Sequence, residues 1–188
     1  MITIESDQTD AISQSIDIIL NGGVIVYPTD TIYGFGVDAS NESAIEKLNT
    51  IKKRHSPISV LTDSLETAIS WIKNDKDIKI ISDNLTGAAT IIFQINNNIV
   101  SNKILGDDGS LGVRLPDHSF CNELAKKCPT IITTTSVNRH GVPPLNEPRT
   151  IEKEFEQEID LLIDGGDLSG NSGSRIYKIE SGKLITIR

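Results

Sequence analysis

Three stretches of this 188-residue chain crowd ionisable and hydroxyl side chains together where chemistry could occur. The first is Ile51-Lys52-Lys53-Arg54-His55-Ser56-Pro57 at the end of a helical pattern. Three consecutive cations could simply answer the negative end of the helix dipole. Alternatively Lys52 and Arg54, two apart, could straddle a polyphosphate, the guanidinium as a planar fork and the ammonium as a point charge. His55 reads as a solvated neighbour. The second stretch, Thr133-Thr134-Thr135-Ser136-Val137-Asn138, puts four hydroxyls and an amide directly after an apolar run. Such groups are costly to bury unless they bond to something, a ligand or their own turn. The third, Tyr27-Pro28-Thr29-Asp30-Thr31-Ile32-Tyr33-Gly34-Phe35-Gly36, runs from a buried strand into hydroxyls, a carboxylate and two glycines. It reads either as a binding loop held by a rigid sheet or as an ordinary Pro/Thr/Asp turn.

Arg114, in Gly112-Val113-Arg114-Leu115-Pro116, sets a charge inside an apolar strand. An acidic side chain of the protein or a ligand carboxylate has to answer it. No Ser-His-Asp, Cys-His, HExxH, P-loop or GxGxxG pattern occurs, so an enzyme built on this chain works by positioning substrates and neutralising charge. No clustered carboxylates mark a metal site.

The elements that position these groups alternate between helix and strand. Ile12, Ile16, Ile19 and Leu20 recur at helical spacing and Gly22-Gly23 ends that helix. Val24–Tyr27 is a continuous apolar run, hence a buried strand. Ser40-Asn41-Glu42 starts a second helix through Ala44, Ile45 and Leu48 to Lys52. Further helices are expected at Leu65–Ile72, Ile78–Leu85, Asn122–Lys127 and Ile151–Glu156. Further strands are expected at Ile58–Leu61, Thr90–Ile95, Leu111–Leu115, Thr130–Thr134, Ile159–Ile163, Arg175–Ile179 and Leu184–Ile187. The late strands follow each other through Gly-rich turns, which favours a mixed sheet over a purely parallel one.

Length and composition suit one α/β domain spanning 1–188, with 37% hydrophobic and 23% charged residues. No apolar run approaches the ~20 residues of a spanning helix. The acidic N-terminus, Met1 to Asp7, is unlike a signal peptide, and a cytoplasmic location is expected. Cys121 and Cys128 read as reduced thiols. The net charge of −8 argues against sequence-independent nucleic-acid binding, which Lys and Arg drive by counterion release. One Trp and three Tyr also leave little for base stacking. A cation cluster in so acidic a chain points to a specific anion.

Taken together, these stretches resemble the YrdC-like family of threonylcarbamoyl-AMP synthases, from about Gly22 to Arg188. The resemblance rests on Tyr-Pro-Thr-Asp-Thr-x-Tyr-Gly-x-Gly, the Lys-x-Arg pair, Gly-Val-Arg-x-Pro-Asp, Thr-Ser-x-Asn-x-x-Gly and Asp164-Gly165-Gly166, in family order. It implies a YrdC-like fold, a twisted mixed parallel and antiparallel sheet flanked by helices around a large concave cavity. It implies synthesis of threonylcarbamoyl-AMP and pyrophosphate from L-threonine, bicarbonate and ATP. Magnesium would be held mainly through the ATP phosphates. Hand-off would follow to a tRNA threonylcarbamoyl transferase complex that modifies adenosine 37 of tRNA. By the same resemblance Thr31, Arg114 and Ser174 would meet threonine, together with the backbone near Leu61 and Thr134. Lys52, Arg54, Ser56, Ser110, Ser136, Asn138 and Arg188 would face ATP, with Lys52 and Arg54 stabilising the moving charge. The chain departs from the family pattern in a shorter stretch between Arg54 and Pro57, in Thr86-Gly87-Ala88-Ala89-Thr90 without prolines, and in Ser174-Arg175 for a Ser-Thr pair. A divergent paralogue that binds nucleotide or RNA without completing the synthesis is the alternative.

Overall fold

A computed structural model describes residues 1–188 except Ser56 and Asn97. Among the described residues ten strands form one sheet in the order β1-β8-β2-β3-β7-β4-β6-β5-β9-β10. They are β1 (Ile2–Glu5), β2 (Ile25–Tyr27), β3 (Gly34–Gly36), β4 (Ser59–Leu61), β5 (Ala89–Gln94), β6 (Ser110–Arg114), β7 (Thr133–Ser136), β8 (Leu161–Asp164), β9 (Arg175–Glu180) and β10 (Lys183–Thr186). The helices are α1 (Ala11–Leu20), α2 (Glu42–Lys52), α3 (Leu65–Ser70), α4 (Ile78–Asn84), α5 (Ser119–Lys127) and α6 (Pro148–Phe155). Parallel pairs (β1/β8, β2/β8, β4/β6, β5/β9) mix with antiparallel ones, as the close spacing of the late strands predicts.

Alternation distributes β2 and β8 over two cores. Val24 and Val26 face one cluster with Leu162, α2 and α6. Ile25 and Tyr27 face the other with Leu161, Ile163, α1 and α5. A run buried on both faces needs no polar interruption, which is why Val24–Tyr27 reads as continuously apolar.

Three differences from the sequence expectations come from strand pairing with distant segments. β1 is not among the expected strands: Ile2 and Ile4 alternate with Thr3 and Glu5, only Ile4 packs against a core, and β8 completes the strand by pairing with it in parallel. Gly34-Phe35-Gly36, a loop or turn by its sequence, forms β3, clamped between β2 and β7. There a Cβ on Gly36 would stand 2.7 Å from Cε1 of Tyr27, so the bare glycine is what admits the buried ring. The strand expected at Thr130–Thr134 lies later, at Thr133–Ser136, because Gly34 and Phe35 pair with Ser136 and Thr135. The hydroxyl run is therefore part of the sheet rather than the loop after it.

Candidate functional site

Alternation also builds the site. Along β6, Leu111 and Val113 enter the core while Ser110, Gly112 and Arg114 face a concave cavity of about 820 Å³. Thr90 and Ile92 on β5, Ile176 and Lys178 on β9, and the β7 hydroxyls continue the same floor. Gly112 lies close under β4, where a Cβ would fall 2.4 Å from Oγ of Ser59. Four cations border the cavity, Arg54, Arg114, Lys178 and Arg188, against the carboxylates Asp107 and Asp108. Lys178 pairs with Asp108 and Arg114 with Asp30, so among the described residues Arg54 and Arg188 are the cavity cations with no side-chain carboxylate within ion-pair distance.

Eight of the residues expected at the site do border it: Arg54, Ser110, Arg114, Thr134, Ser136, Asn138, Ser174 and Arg188. Ser56 lies outside the described residues. Thr31, Leu61 and Lys52 do not border the cavity, and each has a packing reason. Leu61 is core on β4, its amide donating to the Ile132 carbonyl at 2.9 Å. Thr31 is buried, its Oγ1 accepting from Arg114 at 2.7 Å and lying 3.1 Å from Oγ1 of Thr29.

Lys52 is the larger correction. It is only 2% exposed, and its ammonium donates to the Ser136 carbonyl, to the Asn138 carbonyl at 3.2 Å and to Oδ1 of Asn138 at 3.0 Å. Those acceptors match its three donors. The Phe35 ring lies below it, 5.4 Å from the ammonium to the centroid. Lys52 and Arg54 do not straddle one ligand, because α2 ends between them. Asn41 caps the start of α2 through its side-chain oxygen, and Lys53 takes the left-handed conformation at its end, φ 54°. Lys52, still helical, points inward, whereas Arg54 emerges half-buried at the cavity. Among the described residues Arg54 has no carboxylate within ion-pair distance. Burial lowers the Lys52 ammonium to about 7, with Arg54 adding to the effect.

Around Lys52 the turn after β7 bonds to itself. Ser136 Oγ donates to Oδ1 of Asn138 at 2.7 Å, and the Asn138 amide donates to the carbonyls of Arg139 and Val142 at 3.0 and 2.7 Å. Arg139 is structural, bonded to Glu158 and Glu154 over the Phe155 ring.

At the other end, an internal acid answers Arg114, one of the two partners its sequence context left open. One terminal nitrogen donates to Asp30 and to Thr31. Its Nε is buried without a partner, and among the described residues its other terminal nitrogen makes no hydrogen bond. Arg114, expected by resemblance to meet the threonine carboxylate, is thus paired internally, and among the described residues one terminal nitrogen is left without a hydrogen bond. Asp30, which the sequence reading did not single out as a site residue, is the group it missed. The strand charge of Arg114 was the signal that such a partner exists.

Ser174 Oγ lies 2.9 Å from Thr90 Oγ1, joining β5 to the segment before β9. Arg188 is carried to the rim because residues 187 and 188 pair with Ile176, and its guanidinium donates to the Ser174 carbonyl at 3.3 Å. Ser110 donates to Asp108, and this bond with Lys178 holds the Asp108 carboxyl down at about 2. Tyr33 borders the cavity and fixes Gly165-Gly166, accepting from the Gly165 amide and donating to the Gly166 carbonyl at 2.9 Å each.

Among the described residues no three His, Cys, Asp or Glu side chains gather as metal ligands, and no helix is long and apolar enough to cross a membrane. Both cysteines are free thiols in the core.

Comparison with known proteins converges on one group. Residues 17–188 match the Sua5/YciO/YrdC family model, described as telomere recombination. A Methanocaldococcus jannaschii protein provisionally named threonylcarbamoyl-AMP synthase is 36% identical over 173 residues, 90% of this chain and 81% of that protein. Escherichia coli YciO superposes with a TM-score of 0.87 at 23% identity, covering 100% of this chain and 92% of its own. P. abyssi Sua5, solved with L-threonine, gives a TM-score of 0.87 at 22% identity over the whole of this chain. This chain spans 56% of that Sua5.

Proposed function

Because the chain belongs to the Sua5/YciO/YrdC family, we propose that it is an L-threonylcarbamoyladenylate synthase, a nucleotidyltransferase acting on L-threonine, bicarbonate and ATP. Threonine and bicarbonate form the carbamate with loss of water. A carbamate oxygen attacks the α-phosphorus of ATP, and pyrophosphate leaves as the P–O bond to it breaks. The observation that carries this reading is that one cavity joins a half-buried Arg54, without an ion-pair partner among the described residues, to a floor of hydroxyls with Arg114. A cation without an internal partner suits phosphate oxygens, and the hydroxyls of Thr134 and Ser174 with the remaining Arg114 nitrogen suit an amino acid.

In this reading Arg54 binds phosphate and answers the charge that builds on pyrophosphate. Ser110, Ser136, Asn138 and Arg188 face the nucleotide. Thr31 and Leu61 act only through the residues they hold. Magnesium fits as an ion carried on the phosphates: Asp108 is committed to Ser110 and Lys178, and Asp107 is the cavity carboxylate left to approach it. When bound, the ion supplies charge neutralisation at the leaving phosphates. The product would be handed in the cytoplasm to a tRNA threonylcarbamoyl transferase complex, with no strong nucleic-acid contact by this acidic chain.

The test is pyrophosphate release by the purified protein. Release that requires both threonine and bicarbonate supports the synthase. Nucleotide binding without such release supports a divergent paralogue, the reading favoured by one observation, that Lys52 does not reach the cavity.

A further inference from the structure

Asp30 binds two donors from different parts of the chain with its two carboxylate oxygens. Oδ1 accepts from Arg114 at the end of β6, and Oδ2 accepts from the Asp117 amide at 3.2 Å, in the turn that leads to α5. Both charged side chains are largely enclosed, with 6% exposure for Arg114 and 11% for Asp30. Asp30 itself sits in the segment between β2 and β3, beside Thr31, whose hydroxyl shares the same Arg114 nitrogen. The guanidinium is therefore gripped from one edge only. Arg114 borders the cavity, its Nε is buried without a partner, and among the described residues the terminal nitrogen that Asp30 and Thr31 do not bind makes no hydrogen bond.

Resting on the proposed function, we infer that Asp30 is a positioning residue for threonine: it fixes the Arg114 fork so that its remaining nitrogen meets the amino-acid carboxylate. Asn cannot substitute, because it has one acceptor and one donor where the site presents two donors. Either the Arg114 nitrogen or the Asp117 amide loses its partner.

The experiment is threonine-dependent pyrophosphate release and threonine calorimetry on wild type, Asp30→Asn, Arg114→Met and the double variant. The double variant removes both charges together, so it avoids a lone buried charge and guards against misfolding of Asp30→Asn. Expected is a threonine KM raised about tenfold or more in Asp30→Asn, with the ATP KM unchanged. Adding Asp30→Asn to Arg114→Met should bring no further loss of threonine affinity, since Asp30 acts through Arg114. Unchanged or tighter threonine binding in Asp30→Asn overturns the inference, as do additive losses in the double variant. A wild type that binds threonine but lacks pyrophosphate release sinks the synthase reading alone. A wild type that binds no threonine sinks both.

Discussion

The Lys52 ammonium lies 3.0 Å from the side-chain oxygen of Asn138, beneath a turn that borders the cavity rather than at the cavity itself. Oxygen acceptors surround this cation, yet no carboxylate balances it among the described residues. Burial and Arg54 lower it to about 7, against about 10.4 in an unfolded chain. The unfolded chain therefore binds the proton more tightly. The penalty on folding is present in full below about pH 7 and is relieved as pH rises toward the unfolded value. Wild type should gain stability between about pH 7 and pH 9.5, and Lys52→Met should lose that component of the gain. Denaturant midpoints measured across this range check it; identical pH profiles would contradict the buried, unbalanced ammonium.

Arg54→Ala should leave the fold intact, because its half-buried guanidinium has no ion-pair partner among the described residues. Losing a charge-assisted contact worth ~1.5–3 kcal/mol should weaken ATP affinity roughly tenfold to hundredfold. Threonine affinity should stay constant. Wild-type nucleotide binding by the variant would remove Arg54 from the phosphate role.

Arg188→Ala should raise the KM for ATP severalfold while the melting temperature holds, since the backbone pairing of Ile176 with residues 187 and 188 does not need the side chain. The effect should be smaller than that of Arg54→Ala, because the residue is exposed and its charge is more screened. A rise in the threonine KM instead would assign Arg188 to the Ser174 end, where its guanidinium is anchored.

Gly36→Ala should destabilise the protein by about 1–3 kcal/mol through overpacking. The added methyl would meet Tyr27 Cε1 at 2.7 Å and Ile132 Cγ2 at 3.1 Å. The ring cannot easily yield, being fully buried and bonded through its hydroxyl to the Thr133 carbonyl at 3.0 Å. Urea unfolding reads this directly, and an unshifted midpoint would show that β2 and β3 have slack.

Elements with a strong local signal were legible in the residues. The apolar run ending at Tyr27, the Asn41 cap and the apolar strand around Arg114 each mark their own element. β1 and β3 carry little such signal, since a four-residue Ile-Thr-Ile-Glu edge and a Gly-Phe-Gly triplet become strands only when distant partners supply hydrogen bonds. Charge type at the site was legible too, in Arg54, Arg114 and the hydroxyl run. By itself the sequence determined the family, the mixed sheet and the chemical kinds of group available. Only the tertiary structure decided which of those groups face the cavity. Lys52 and Arg54 are two residues apart, yet one left-handed residue between them sends the first under the turn and the second to the cavity. Arg114 is matched by Asp30, eighty-four positions away, a pairing that only the folded sheet brings into contact. Spacing along a chain sets local direction, whereas burial and partner choice arise from surfaces that meet only when the fold closes.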